Sequence, residues 1–239
     1  MTFNTFKDGQ NNRFARDAAH QYASERDSDS LLFIYGQSGT GKTHLLNAIG
    51  NLIGETHPEK TIVYLTANDL ANIVSDALVS NRKIQMLNFF TCLDILLLDD
   101  VEEITNKQAT QELLANILDN LLLSGKKVVA TCKVHPMFLD GFSERLKSRL
   151  VMGTTISLTE PDNELFRDII ESLNKEHNDE FRLKDDIIDI FVKSATSVFH
   201  LKGLFNTAIA YSEASDMAVN IETAKKIVES GIKQSNPSE

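Results

Sequence analysis

The sequence predicts a three-layer α/β domain with a parallel five-stranded sheet over residues 1–160, followed by a small all-helical domain over residues 161–239. Two observations predict this arrangement. Apolar runs of strand length alternate with segments of helical periodicity in the first part of the chain, and only helical periodicity follows the break at residues 160–162. Strands that alternate with helices form parallel sheets with right-handed crossovers, and such sheets bind ligands beyond the carboxyl ends of their strands.

The five predicted strands are short apolar runs of the kind that is buried on both faces of a parallel sheet. They occupy residues 31–35, 61–66, 93–98, 126–131 and 154–159. Between the third and fourth strands, residues 109–123 place leucine and isoleucine three or four positions apart, which predicts an amphipathic helix. In the second domain the same periodicity predicts four helices, at residues 164–177, 185–194, 200–212 and 221–233.

A glycine-rich loop joins the first strand to a predicted helix at residues 44–53. Its eight residues fit the pattern of a phosphate-binding loop: Gly36, Gln37, Ser38, Gly39, Thr40, Gly41, Lys42 and Thr43. Glycines let successive backbone N–H groups face a phosphate, the lysine neutralises its charge, and the threonine hydroxyl is a ligand for Mg²⁺. The helix N-terminus, where His44 follows, adds partial positive charge. A glycine-rich turn that binds nothing is the alternative, but Lys42 and Thr43 together favour a nucleotide site.

A second motif ends the third strand, where the apolar residues 95–98 are followed by Asp99 and Asp100. A carboxylate at this place can hold Mg²⁺, and its neighbour can orient or deprotonate a water that attacks the γ-phosphate. We assign Asp99 to the metal and Asp100 to the water. The alternative is a strand that ends in aspartate only because a turn follows. The phosphate-binding loop earlier in the chain makes this alternative less favoured.

Residues 143–149 predict a short helix with Ser143 as its N-cap, on which Arg145 and Arg149 share one face. Arginines presented at a helix end can reach the γ-phosphate held by a neighbouring subunit and stabilise charge in the transition state. A surface helix that uses Glu144 in ion pairs is the alternative. Composition alone leaves both interpretations open.

Composition limits the classes of function. The formal net charge of −10 disfavours a protein that coats DNA with its whole surface, so any contact with nucleic acid must be local. The first ten residues lack the features of a secretory signal, and no apolar run approaches the roughly 18 residues of a membrane span. Cys92 and Cys132 are isolated, which indicates small buried thiols and no zinc site. We therefore expect a cytoplasmic protein with no membrane partner.

The chain resembles the AAA+ ATPase domain of the DnaA and Hda family, the bacterial replication initiators and their shorter relatives. The resemblance lies in the motifs above and in the segments around them, at residues 2–6, 12–15, 33–36, 41–50, 97–100 and 145–149. It implies a P-loop NTPase of the AAA+ type that binds ATP or ADP with Mg²⁺. It further implies an N-terminal segment that packs over the adenine, a paired-helix insertion at residues 69–90, and a lid formed by residues 161–239. By the same resemblance Arg149 is an arginine finger acting in trans, with Arg145 beside it.

Three places depart from the family's pattern. Phe199 stands where the lid usually presents a phosphate-sensing arginine, and Lys202 lies one turn further along. Lys133 stands where an acidic residue usually follows the fourth strand. Lys107 matches a basic position that initiators use on single-stranded DNA, but its companion arginine is replaced by Ala109. We therefore expect nucleotide binding to survive, with weak hydrolysis and at most a weak contact with single-stranded DNA.

The sequence ends at Glu239, where the predicted lid ends, so we expect no helix-turn-helix domain and no sequence-specific binding of a replication origin. Our first hypothesis is a protein that acts in or regulates replication initiation. Its weak ATPase activity depends on assembly with itself or with a full-length DnaA-type initiator. The second is a nucleotide-gated helicase loader or adaptor with little turnover, whose partner is a replicative helicase. A nucleotide-bound paralogue without turnover is the third, favoured by Phe199 and Lys133.

Overall fold

The structure is a computed structural model that describes residues 1–24, 30–177 and 181–233, with side chains described as far as residue 230. The chain forms two compact units. The first, here called the sheet unit, contains Met1–Phe6 and Asn12–Thr159, and the second, the helical unit, contains Lys7–Asn11 and the residues from Glu160 onward. The last residues of the predicted lid, 234–239, lie outside the described residues. Among the helices that are described, none is long and apolar enough to cross a membrane.

Five parallel strands form the sheet, which confirms the predicted fold class. They are β1 (Leu31–Tyr35), β2 (Ile62–Thr66), β3 (Ile95–Asp99), β4 (Lys127–Cys132) and β5 (Thr154–Ser157), in the order β2-β3-β4-β1-β5. Because β4 lies between β1 and β3, the loop that follows β1 and the carboxylates that end β3 flank the end of β4. The strand order therefore decides which side chains meet at the carboxyl edge.

Six helices of the sheet unit cover the two faces of the sheet. They are α1 (Arg13–Ser24), α2 (Lys42–Thr56), α3 (Ala67–Val79), α4 (Lys83–Thr91), α5 (Gln108–Leu123) and α6 (Glu144–Val151). Short 3-10 turns lie at Val101–Ile104 and Pro136–Phe138. The pair α3 and α4 occupies the place of the insertion predicted at residues 69–90. A capping box fixes the start of α3, because Thr66 and Asp69 exchange hydrogen bonds between side chain and backbone.

Alternate strand residues enter two separate apolar clusters, which explains the unbroken apolar runs in the sequence. Leu96 and Leu98 of β3 pack with the helices α3 to α6, whereas Leu97 between them packs with α1 and α2. All three leucines are buried. The sheet is therefore the middle of three layers, as the sequence predicts.

The helical unit is an all-α bundle with its own apolar core. Its helices are α7 (Asn163–Glu176), α8 (Asp185–Ser194), α9 (Val198–Ser215) and α10 (Ile221–Lys233). Ile170, Phe191 and Leu204 are buried in its core. The helix predicted at residues 200–212 begins earlier than expected, because the Ser197 hydroxyl caps it by accepting the His200 backbone N–H at 3.1 Å.

One sequence expectation about the cysteines is wrong. Cys132 is buried at the end of β4, but Cys92 is exposed because it caps the C-terminus of α4 at the surface.

Candidate functional site

The loop between β1 and α2 wraps around the amine of Lys42. This side chain is buried, and its Nζ donates to the backbone carbonyls of Gly36 at 2.8 Å and Gln37 at 3.1 Å. Thr40 closes the loop from within, because its hydroxyl donates to the Gln37 carbonyl at 2.9 Å. Gly39 has φ 82°, which lies in the left-handed region that glycine adopts without strain. The loop residues predicted from the sequence thus form one compact turn with a lysine amine inside it.

The N-terminal segment packs directly on this loop. Gly41 has φ 103°, and a Cβ there would lie 2.8 Å from the ring of Phe6. His44 Nε2 lies 2.9 Å from the Thr2 carbonyl oxygen and 3.2 Å from the Thr5 hydroxyl, and its ring meets that of Phe6 edge to face at 5.3 Å. The His44 imidazole therefore ties the N-terminal segment to the first turn of α2.

Asp99 ends β3 as a buried carboxylate with three hydroxyl donors around it. Its Oδ2 accepts hydrogen bonds from Thr43 at 2.8 Å and from Tyr64 at 3.0 Å. Its Oδ1 accepts a short hydrogen bond from the hydroxyl of Thr131 on β4. Thr43 and Asp99, which the sequence assigns to one metal ion, thus come into direct contact across the sheet edge. Burial and the nearby Asp99 charge raise the pKa of Tyr64 to about 12, so this hydroxyl remains a donor.

Asp100 is half-buried and sits in the left-handed region at φ 53°. The Thr131 hydroxyl accepts its backbone N–H at 3.0 Å, so one threonine contacts both carboxylate residues. Burial, followed by the charges of Asp99 and Glu102, raises the pKa of Asp100 above its ordinary value. Adjacent carboxylates in a partly desolvated place form a centre of negative charge that a divalent cation would neutralise.

This donor set fits Mg²⁺. Magnesium in nucleotide sites is held by one or two protein oxygens, and phosphates and waters supply the remaining ligands. Thr43 and Asp99 provide such oxygens next to the loop. Within the part of the chain that the structure describes, no group of three or more His, Cys, Asp and Glu side chains could hold a metal ion by itself. The site is therefore suited to a metal ion whose remaining ligands are the phosphates of a bound nucleotide.

The two arginines of α6 face the preceding helix α5. Arg145 Nη2 donates to Asn116 at 2.7 Å and to Asp119 Oδ2 at 2.8 Å, and Arg149 Nε donates to Asp119 Oδ1 through a short bond. These bonds, that of Arg149 first, lower the pKa of the Asp119 carboxyl. The predicted helix cap is confirmed, because the Ser143 hydroxyl accepts the backbone N–H of Leu146 at 3.3 Å.

Glu144 forms an ion pair on its own helix, as the alternative interpretation of this helix expected. Its carboxylate pairs with the Lys147 amine at 3.2 Å. The arginines are thus held by α5 and not by the carboxylate of their own helix.

The three positions that depart from the family's pattern have the following surroundings. Lys133 pairs with Glu102 at 3.4 Å, and its backbone N–H donates to the same carboxylate at 3.2 Å. Exposed Lys107 donates to the Asn68 side chain at 3.2 Å, between α5 and α3. Phe199, in the helical unit, is 67% exposed.

Sequence reasoning assigned no role to Tyr64, Thr131 or Asp119. Thr131 could have been found only from the strand order, because β4 separates β1 from β3. Asp119 carries no local signal, since its partners lie 26 and 30 residues away on another helix.

The fold and the site define a P-loop NTPase of the AAA+ class. A family model described as the bacterial DnaA ATPase domain matches residues 1–157. The chromosomal replication initiator protein DnaA of Bacteroides fragilis is 31% identical over 229 residues, which make up 95% of this chain and 48% of that protein. The chain belongs to the family of bacterial DnaA ATPase domains.

Solved structures of DnaA agree with this assignment. Domain III of the Thermotoga maritima replication initiation protein DnaA matches with a TM-score of 0.90 at 30% identity, covering 97% of each chain. A replication initiator DnaA bound to AMPPCP and single-stranded DNA matches with a TM-score of 0.79 at 30% identity, covering 90% of this chain and 67% of that one. The chain spans about half the length of the curated relatives it matches.

Proposed function

We propose that this protein binds ATP or ADP together with Mg²⁺ and acts in, or regulates, the initiation of DNA replication. One observation carries the proposal: the Thr43 hydroxyl at the loop and the buried Asp99 carboxylate at the end of β3 lie in hydrogen-bond contact at 2.8 Å. A loop that cradles phosphates and a carboxylate that accepts a metal need this proximity. The AMPPCP bound to a DnaA of the same fold supports the choice of nucleotide.

In this proposal Lys42, the loop N–H groups and the N-terminus of α2 bind the phosphates, and Thr43 with Asp99 holds the metal. When bound, Mg²⁺ neutralises charge on the β- and γ-phosphates. Asp100, which follows Asp99 in the chain, orients or deprotonates the attacking water. Phe6 and His44 hold the N-terminal segment against the loop, next to the predicted place of the adenine.

We further propose that turnover is weak and requires assembly. Arg149 of one protomer would reach the γ-phosphate held by a second copy, or by a full-length DnaA-type initiator. Phe199 at the place of a phosphate-sensing arginine, and Lys133 paired with Glu102, support slow hydrolysis. The same two residues favour the second candidate, a nucleotide-gated adaptor or helicase loader with little turnover.

We also propose a weak contact with single-stranded DNA through Lys107. Lys107 is exposed at the start of α5, beside the insertion helix α3. The single-stranded DNA bound to a related initiator supports it. Ala109 beside Lys107 and the formal net charge of −10 both favour weak binding.

Nucleotide titrations with and without Mg²⁺ test the observation that carries the proposal. The wild type should bind ADP at least tenfold more tightly with Mg²⁺ present, on the order of 1.4 kcal/mol. Thr43→Val should lose most of this advantage, and Thr43→Ser, which keeps the hydroxyl, should retain it. An equal Mg²⁺ advantage in Thr43→Val and the wild type would show that the metal does not bind at this place.

A further inference from the structure

Asp119 divides the two arginines of α6 between its two carboxylate oxygens. Oδ2 accepts from Arg145 Nη2 at 2.8 Å, and the same nitrogen also donates to Asn116 at 2.7 Å. Oδ1 accepts from Arg149 through Nε. The two guanidinium groups are therefore bound in different ways by one acceptor.

The difference lies in which nitrogen is used. Two side-chain oxygens of α5 accept hydrogen bonds from a terminal nitrogen of Arg145, so the outer part of its guanidinium group is already bound. Arg149 is held at Nε, the nitrogen nearest its aliphatic stem, and its terminal nitrogens lie beyond this contact, where Nη1 donates to the Ser148 hydroxyl at 3.3 Å. The guanidinium group is planar, so a bond at Nε fixes the orientation of its plane. The two terminal nitrogens, Nη1 and Nη2, can then together bind a phosphate.

Charge gives a second argument. Two arginines four positions apart on a helix repel each other. Asp119 lies between them and supplies the negative charge that lets both guanidinium groups remain close. Without it, Arg149 would be free to sample other rotamers, and an extended arginine has many.

We infer that Asp119 is a positioning residue for Arg149: it holds the guanidinium group of this arginine finger in the orientation that binds the phosphate of a neighbouring protomer. Arg145, bonded to Asn116 and Asp119, stabilises that orientation. The inference rests on the proposed function, since it requires that Arg149 act on a nucleotide held by another protomer. The inference also changes the role of Arg145, which stabilises Arg149 and does not itself act as a second arginine finger.

A mixing experiment separates the two sides of the interface. A Lys42→Ala protomer holds no nucleotide but carries Arg149, so it is the donor. An Arg149→Ala protomer holds nucleotide but carries no finger, so it is the holder. Single-turnover hydrolysis of ATP with Mg²⁺ is measured after the two are mixed, and neither alone should turn over.

Asp119→Ala is then placed in one protomer at a time. In the donor it should lower the rate by roughly 10- to 100-fold, since misplacing a catalytic group by about 1 Å costs on that order. In the holder the rate should stay within twofold, because that protomer has no Arg149 to position. Glu112→Ala is the matched control, because it removes an exposed carboxylate from the same helix. Placed in the donor, it should leave the hydrolysis rate of the mixture unchanged.

Arg145→Met in the donor should lower the rate less than removal of Asp119, because Arg149 then keeps its own bond. Asp119→Asn, which preserves shape, replaces Asp119→Ala should the latter unfold. An unchanged or faster rate with Asp119→Ala in the donor, or an equal loss in both protomers, would overturn the inference. Absence of turnover in the parent mixture would instead contradict action in trans between copies of this chain. The same mixing with a full-length DnaA-type initiator as the holder would then be required to show turnover, and its absence there too would overturn both the proposed finger and its positioning residue.

Discussion

Replacing Thr131 by valine tests the link between the two carboxylates of the site. Thr131 is fully buried, and its hydroxyl both donates to Asp99 and accepts the backbone N–H of Asp100. Valine has nearly the same shape, so the change removes two hydrogen bonds and opens little space.

The magnitude follows from these two bonds. A hydrogen bond to a charged group contributes about 1.5–3 kcal/mol, and a buried N–H left without an acceptor costs about 1–3 kcal/mol. The added apolar methyl group offsets part of the loss, by about 1 kcal/mol. We therefore expect Thr131→Val to lower the free energy of unfolding by roughly 2–4 kcal/mol. Thr131→Ser keeps both bonds and loses one methyl group, so it should cost only about 1 kcal/mol.

Urea unfolding followed by far-ultraviolet circular dichroism measures these differences, since the chain has no tryptophan to report by fluorescence. At the midpoint of thermal unfolding, each kcal/mol corresponds to about 2–4 °C in a chain of this size. A valine variant within about 0.5 kcal/mol of the wild type, or a serine variant as unstable as the valine one, would show that the Thr131 hydroxyl contributes little to stability.

Further predictions concern the loop, a helix glycine and the arginine anchor. Gly41→Ala should lower stability by about 1–3 kcal/mol, since φ is 103° and the new Cβ would meet the Phe6 ring at 2.8 Å; Gly203→Ala, in α9 with nothing within 4 Å of the new Cβ, should instead raise stability by about 0.5–1 kcal/mol. Equal urea midpoints for these two variants would contradict the geometry. Because Arg149 and Arg145 lower the pKa of Asp119, its charged form adds stability above the unfolded pKa of about 3.9, and this contribution is lost as pH falls through the lower folded value. Asp119→Asn should therefore be less stable than the wild type at pH 6, and the gap should close on acidification; a gap that is constant with pH would show that the carboxylate charge plays no part.

Local patterns predicted the sheet and the positions of its motifs because each strand is an apolar run with a turn signal at its end. They also assigned Thr43 and Asp99 to one metal ion, and the structure places the two side chains in hydrogen-bond contact. The bond from Thr131 was not predictable in the same way. It depends on β4 lying between β1 and β3. Strand order is set by long-range packing, and the sequence of any one strand contains no information about it.

The anchor at Asp119 was missed for a related reason. It depends on how α5 packs against α6, and the sequence of α5 shows only an apolar face with polar residues between. The alternative interpretation of α6, a surface helix that uses Glu144 in ion pairs, holds for Glu144 itself, which pairs with Lys147 on the same helix. The acceptor of the two arginines lies on another helix, so the spacing of residues along α6 could not identify it.

We propose above that the loop from Gly36 to Thr43 binds the phosphates of a nucleotide. Calorimetric titration of ADP and ATP in the presence of Mg²⁺, with the wild type and with Lys42→Ala, tests it most directly. We predict one nucleotide per wild-type chain and no measurable binding by the variant, whose unfolding midpoint should confirm that it is folded. Failure of the folded wild type to bind either nucleotide, or equal affinity in Lys42→Ala, would contradict the account.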